Sequence, residues 1–302
     1  MGTQGSGKTS MRSIIFADYL AQDTRRLQAT IDVEVSSVAF LGNLHLHLWD
    51  CGGQEDFYRN YLESMRDHIF RSVELLVYVF DIAKVLDMGR FQEVMDALAQ
   101  HSSDAKVFVL LHKMDLVPEA ERQAVFAARE NDIHACCKKY GASGPAVRCF
   151  PSSIWDETLY RAWSQIVHSL VPNTRVLEEH LSLFNDICGA DEVVIFESTT
   201  FLVIAHCEEK RRDIHSDAHR FEKISNIIKQ FKLSCRKVNA KFHGMMVQNS
   251  IFTAFFSPFT ANTCVMVIVS NPKVEPDAIT SNIEAARSHF SAIIPTSTGG
   301  GV

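Results

Sequence analysis

Two rhythms of hydrophobic and polar positions divide the chain. Up to about residue 172, short apolar runs alternate with stretches whose apolar residues recur at helical spacing. LLVYVFD and VFVLLHKMD are continuous apolar runs that end in charge, the pattern of strands buried on both faces. VEVSSVAF and LHLHLWD alternate between apolar and polar, as strands with unlike faces do. TSMRSIIFADYL, RFQEVMDALAQ and TLYRAWSQIVHSLV repeat with the helical period. Strands interleaved with helices predict an α/β domain whose mostly parallel sheet is covered by helices on both faces.

The rhythm changes near Val171-Pro172-Asn173. A helix (VLEEHLSLFNDI) is followed by two strands (EVVIFES, TFLVIAH) and a long helix, HRFEKISNIIKQFKLSC, with Phe221, Ile224, Ile227, Ile228 and Phe231 on one stripe. Three more strands (GMMVQNS, FTAFFS, CVMVIVS) and a helix from about Asp277 to Phe290 complete the chain. Strands arriving in runs predict an α+β module with an antiparallel sheet. The expected domains are therefore residues 1–172 and 173–302, with the boundary in the stretch 172–178.

Composition narrows the class. The 302 residues are 46% hydrophobic and 22% charged, as in a globular protein, and a net charge of -6 excludes a general nucleic-acid binder. Eight cysteines without a C-x-x-C spacing predict reduced thiols in the cytoplasm, not a disulfide framework. The longest apolar runs are far shorter than a membrane span, so membrane contact is expected only indirectly.

Four motifs carry chemistry. Gly2 to Thr9 reads G-x-x-x-x-G-K-T, a loop whose backbone N–H groups face phosphate oxygens ahead of a helix N-terminus. Its candidate contacts are Gln4, Gly5, Ser6, Gly7, Lys8, Thr9 and Ser10. Lys8 is placed for the β- and γ-phosphates and the Thr9 hydroxyl for Mg²⁺. Next, Asp50-Cys51-Gly52-Gly53-Gln54 follows a strand. Asp50 is the candidate to reach Mg²⁺ through water, Gly53 to offer its N–H to a γ-phosphate, and Gln54 to orient the attacking water. Third, His112-Lys113-Met114-Asp115 ends a buried strand. The Asp115 carboxylate can accept from both N1–H and the exocyclic amine of guanine, a donor pair that adenine lacks, while Lys113 can lie along the ring. Fourth, Ser152-Ser153-Ile154-Trp155 precedes a helix, and Ser153 and Ile154 can present N–H groups to the guanine carbonyl. Trp155 has two open readings, a cover for the base or a core filler. Between the first two motifs, Thr30 is the candidate to complete the Mg²⁺ shell, and Thr24 a weaker one for phosphate or ribose.

The order of these motifs is that of small GTPases. The wording GSGKTSMRSIIF, DTRRL, ATIDVE, HLWDCGGQ, HKMDLV, SIWDETLY and HRFEKISNIIKQFKLSC resembles the Rag GTPases of the A/B type and their fungal Gtr counterparts over nearly the whole chain, including the histidine at position 112. The resemblance implies a Ras-like G domain followed by a roadblock/longin-type dimerisation domain, GTP or GDP with Mg²⁺, and slow hydrolysis that needs a GTPase-activating complex. It further implies a heterodimer with a C/D-type Rag subunit. That dimer would be recruited by a lysosomal or vacuolar scaffold complex to the membrane surface, where it relays amino-acid sufficiency to the target-of-rapamycin complex. The competing reading is a non-catalytic guanine-nucleotide-binding scaffold acting through residues 173–302. The first residues also fit an N-myristoylation signal at Gly2. Because the family places a β-strand ahead of Met1, the expectation is a truncated reading frame or fragment, with unpaired backbone on that strand's two neighbours.

Overall fold

The computed structural model describes residues 1–41, 44–143, 145–171, 174–208, 220–240, 242–248 and 250–294. It separates into two compact units: Met1–Ser36 with Leu48–Ala162, and Ser37–His47 with Trp163–Val302. The linker positions Pro172 and Asn173 lie outside the described residues, as does the tail from Pro295.

From the N-terminus α1 (Lys8–Phe16) leads through a 3-10 turn (Ala21–Arg26) to β1 (Glu34–Ala39) and β2 (His45–Asp50). Then come α2 (Glu55–Glu63), α3 (Arg66–Phe70), β3 (Leu75–Asp81), α4 (Met88–His101), β4 (Lys106–His112), α5 (Glu119–Cys137), β5 (Val147–Ser152) and α6 (Thr158–His168). The order β3-β4-β5 forms a parallel sheet, while β1 and β2 pair separately. β3 and β4 are buried along nearly their whole length, as continuous apolar runs require. Tyr78, Phe80 and Phe91 pack edge-on or tilted at centroid distances of 4.8, 5.0 and 5.5 Å, and Val94, Met95 and Leu98 of α4 extend the same core.

Neither β2 nor β3 pairs with the other. At β3, Met1 supplies one bridge: its amino group donates to the Val77 carbonyl at 2.8 Å, and Val79 N–H donates to the Met1 carbonyl at 3.0 Å. That is the alternation of a parallel ladder. Burial lowers the pKa of the Met1 ammonium.

Two helical expectations need correction. TSMRSIIFADYL is helical only to Phe16, because Ala17 leaves the helix and Asp18 takes a left-handed φ of 58°. The i, i+4 spacing of Phe57, Tyr61, Met65 and Ile69 predicts one helix after Gln54, but the structure holds two. The segment breaks between Glu63 and Arg66, so Ile69 is buried on α3 while Met65 is exposed; the Tyr61 side chain is outside the described set.

The second unit contains α7 (Thr174–Cys188), β6 (Glu192–Glu197), β7 (Val203–Glu208), α8 (Arg220–Lys237), β8 (Met245–Gln248), β9 (Thr253–Thr260), β10 (Thr263–Val269) and α9 (Pro276–Ile293). Its sheet runs β7-β6-β10-β9-β8 with antiparallel pairing throughout. β6 and β10 are fully buried at the centre, and Phe184, Phe259 and Phe290 join α7, β9 and α9 in one aromatic cluster. The stripe on α8 divides: Ile228 enters the core, whereas Ile227 and Phe231 are 61% and 47% exposed. The Phe221 side chain is outside the described residues.

Candidate functional site

A parallel sheet sends the C-terminal ends of its strands to one edge, and loops leaving that edge form the site. Here the register aligns Asp81 with His112 and His112 with Ser152, so the ends of three strands stand in one row. The phosphate loop borders that row. Gly7 has φ 96°, and a Cβ on it would lie 2.7 Å from the His112 ring, so only glycine allows the loop to pass. His112 is 2% exposed, with Nδ1 and the Ser152 hydroxyl 3.0 Å apart. Burial, then the neighbouring Lys113 charge, push its pKa down to about 4, which keeps the imidazole neutral at physiological pH.

Three lysines turn the carbonyls of the loop outward. Lys8 Nζ donates to Gly2 and Thr3 carbonyls at 2.8 and 2.9 Å, Lys84 Nζ to Gln4 at 3.1 Å, and Lys113 Nζ to Gly5 at 2.8 Å. Lys113, itself at a left-handed φ of 67°, also pairs with buried Asp81 at 2.7 Å. Carbonyls held this way leave the loop N–H groups for an anion. The Ser6 hydroxyl is buried and has no hydrogen-bond partner among the described residues.

The metal candidates converge in part. Thr9 and Thr30 hydroxyl oxygens lie 2.6 Å apart, one on the first turn of α1 and the other in the segment before β1. Asp50 ends β2, is 6% exposed, and faces Arg12 Nε at 3.2 Å. Two hydroxyls in contact and a buried carboxylate are an oxygen-rich, hard donor set of the kind that suits Mg²⁺. Burial lowers the Lys8 pKa to about 8 despite the Asp50 charge.

The segment after Asp50 packs onto the same loop. A Cβ on Gly53 would lie 2.5 Å from the Gln4 nitrogen, a backbone overlap that no side chain shift relieves, so glycine is required here. A Cβ on Gly52 would meet the Gln54 Oε1 at 2.9 Å and the Thr30 carbonyl at 3.0 Å, which puts Thr30 and Gln54 side by side. The Gln54 Oε1 is buried without a hydrogen-bond partner among the described residues. Arg90 braces this segment from α4: it donates to Gly53 carbonyl at 3.4 Å and to Glu55 at 2.8 Å, and lies 4.4 Å over the Tyr58 ring.

At the other end, Ser153 Oγ donates to Asp115 Oδ1 at 2.6 Å and accepts from Trp155 N–H at 3.0 Å. The loop carrying Ile154 is pinned further by Ser153 N–H donating to Thr158 at 2.9 Å. Trp155 is half exposed with Arg25 5.3 Å from its ring, so it is not core filler. Thr24 is buried, and its hydroxyl donates to the Ala21 carbonyl within the 3-10 turn at 2.7 Å, which leaves only its oxygen lone pairs for a ligand. Lys84, Arg12 and Arg90 were not singled out by sequence. No local pattern marks them, because each acts across tens of residues.

The low value for Lys8 has a testable consequence. An anion raises the ammonium pKa, so above about pH 8 binding takes up a proton and triphosphate affinity falls as pH rises, by up to about tenfold per unit. Below that pH this group contributes no slope. Equilibrium binding between about pH 7 and 9 should show the bend in the native protein and lose it in Lys8→Arg, whose guanidinium does not titrate there. A bend of equal size in both would assign it elsewhere.

Known proteins match the chain over nearly its whole length. The family model described as the Gtr1/RagA G protein conserved region matches residues 1–228. The chain is 56% identical to the Ras-related GTP-binding protein A of Dictyostelium discoideum over 298 residues, covering 97% of this chain and 96% of that protein. It is 48% identical to the GTP-binding protein gtr1 of Schizosaccharomyces pombe, covering 99% and 96%. A more distant match, 25% identical and covering 68% and 52%, is the Ras-related GTP-binding protein C of Mus musculus. With the family model matching residues 1–228 and two relatives aligned nearly end to end, this protein belongs to the Gtr/Rag family of GTPases.

Proposed function

We propose that this GTPase is a switch whose nucleotide state is read by two segments, residues 24–32 and 52–63, and that it acts as a heterodimer with a C/D-type Rag subunit. The observation that carries the switch is the placement of Thr30 against Thr9 and of Gly53 against Gln4, so that both segments bear on the phosphate loop. In this reading Thr9, Thr30 and Asp50 hold Mg²⁺, which supplies charge neutralisation to the phosphates. Lys8 and the loop N–H groups bind and orient them. Asp115, braced by Ser153, reads the guanine edge, and Gln54 holds the attacking water. Loss of the γ-phosphate then removes what the Thr30 and Gly53 segments bind.

The assembly reading rests on the second unit, which supports the roadblock/longin-type assignment by its five-stranded antiparallel sheet. Ile227 and Phe231 of α8 are exposed one turn apart, and the edge strand β8 leaves Met246 and Val247 exposed. Apolar side chains and an open strand edge suit a partner of similar build. Family membership supports recruitment to the lysosomal or vacuolar surface and signalling to the target-of-rapamycin complex; among the described residues no helix is long and apolar enough to cross a membrane.

The test is co-expression with a C/D-type subunit. Burying each such side chain contributes roughly 1.5–3 kcal/mol, so Ile227→Glu with Phe231→Glu should weaken co-purification at least about a hundredfold. Nucleotide binding should be unchanged. A double variant that still co-purifies fully would move the interface away from α8.

A further inference from the structure

Away from the nucleotide site, α5 and β5 bring together three side chains of metal-ligating type. Glu130 and His134 are one turn apart on α5, with His134 Nε2 and Glu130 Oε1 separated by 3.9 Å. Cys149 stands on β5, and one ligand atom from each of the three lies within 4.8 Å of the others. Residues four apart share a helix face, and this face is turned to the strand that carries the thiol.

We propose that Glu130, His134 and Cys149 form a binding site for a zinc-class divalent cation. One imidazole nitrogen, one sulfur and one carboxylate oxygen are a borderline-to-soft donor set, which suits Zn²⁺ or Co²⁺ and not the oxygen-seeking Mg²⁺ of the nucleotide site. In a tetrahedral zinc site the ligand atoms stand about 3.5 Å apart, so closure needs shifts on the order of 1 Å. His134 is exposed, and Glu130 and Cys149 are half-buried, which leaves the first of these side chains free to turn and the site open to solvent. Three protein ligands leave the fourth position to water. Binding exchanges the Cys149 thiol proton, released to solvent, for the metal–sulfur bond; with two anionic ligands the bound dication is neutralised.

The position gives the site a consequence. Cys149 lies three residues before Ser152, on the strand that continues into the Ser153 loop bracing Asp115. A metal here ties that strand to α5 and stabilises the folded state in proportion to its occupancy.

The experiment uses the full chain with saturating GDP and Mg²⁺, so that the phosphate site does not compete, titrated with Co²⁺ alone. Expected is saturation at one equivalent, with a thiolate-to-cobalt charge-transfer band and the visible bands of a tetrahedral field, all displaced by Zn²⁺. Cys149→Ser should abolish the charge-transfer band. His134→Gln and Glu130→Gln should keep it but weaken Co²⁺ by roughly tenfold or more. Cys137 neighbours Cys149 electrostatically, so Cys137→Ser is the control and should leave the titration unchanged. The same band in Cys149→Ser, its loss in Cys137→Ser, or no band in the native protein would overturn the proposal. GDP binding by each variant verifies that it is folded.

Discussion

Gln54→Leu keeps GTP bound and stalls its hydrolysis. Gln54 stands just before α2, after Gly53 has been wedged against the backbone of Thr3 and Gln4. Its Oε1 is buried and makes no hydrogen bond among the described residues, an arrangement that costs stability unless a ligand or water completes it. Leucine has nearly the same volume and no polar atom to satisfy, so the segment keeps its packing. The lost group is the one placed to orient water, and removing a single oriented hydrogen-bonding group from such a transition state costs on the order of 100-fold. Single-turnover phosphate release should fall by about that factor while GTP affinity changes less than about threefold. Unchanged release would take Gln54 out of the chemistry.

The second large effect is a change of base. Asp115→Asn should lower guanine-nucleotide affinity on the order of a thousandfold and raise affinity for the xanthine nucleotide. The brace survives the change: Ser153 Oγ donates to Asp115 Oδ1, and the asparagine oxygen accepts the same bond. What faces the base is then an amide N–H₂ in place of an oxygen. Guanine presents an exocyclic amine there, so two donors meet and a buried pair is lost, the situation in which polar sites discriminate most strongly. Xanthine presents a carbonyl and restores the bond. Competition between GTP and XTP measures both effects in one assay. Retained preference for guanine would mean that the base is read by the Ser153–Trp155 backbone alone.

Local patterning made some of this fold legible and hid the rest. β3 and β4 announce themselves because strands buried on both faces need unbroken apolar runs. α5 and β5 carry weak sequence patterns for different reasons. α5 buries only Ile133 along its whole length, so it has almost no apolar stripe. β5 carries Arg148 and Pro151, which weaken a strand pattern but are tolerated at the edge of the β3-β4-β5 sheet, where Pro151 has no second neighbour to bond. The metal-ligating cluster joins those two elements, and so no spacing in the sequence could suggest it.

The sequence by itself determined the chemical capacity of the protein, because each nucleotide motif is a contiguous loop whose function depends on near neighbours. Gly7 before Lys8 and Thr9, or Gly53 before Gln54, can be read from a handful of residues. Partnership across distance was decided only by tertiary structure. The parallel register sets Asp81, His112 and Ser152 in one row, and from that row Lys113 reaches both Asp81 and the Gly5 carbonyl. Lys84 meets Gln4 across 80 positions and Ser153 meets Asp115 across 38. The same holds for α8, whose periodicity shows an apolar stripe but not which part is covered; packing alone buries Ile228 and leaves Ile227 and Phe231 outside. Periodicity records a helix's own geometry, whereas burial depends on the surface brought against it.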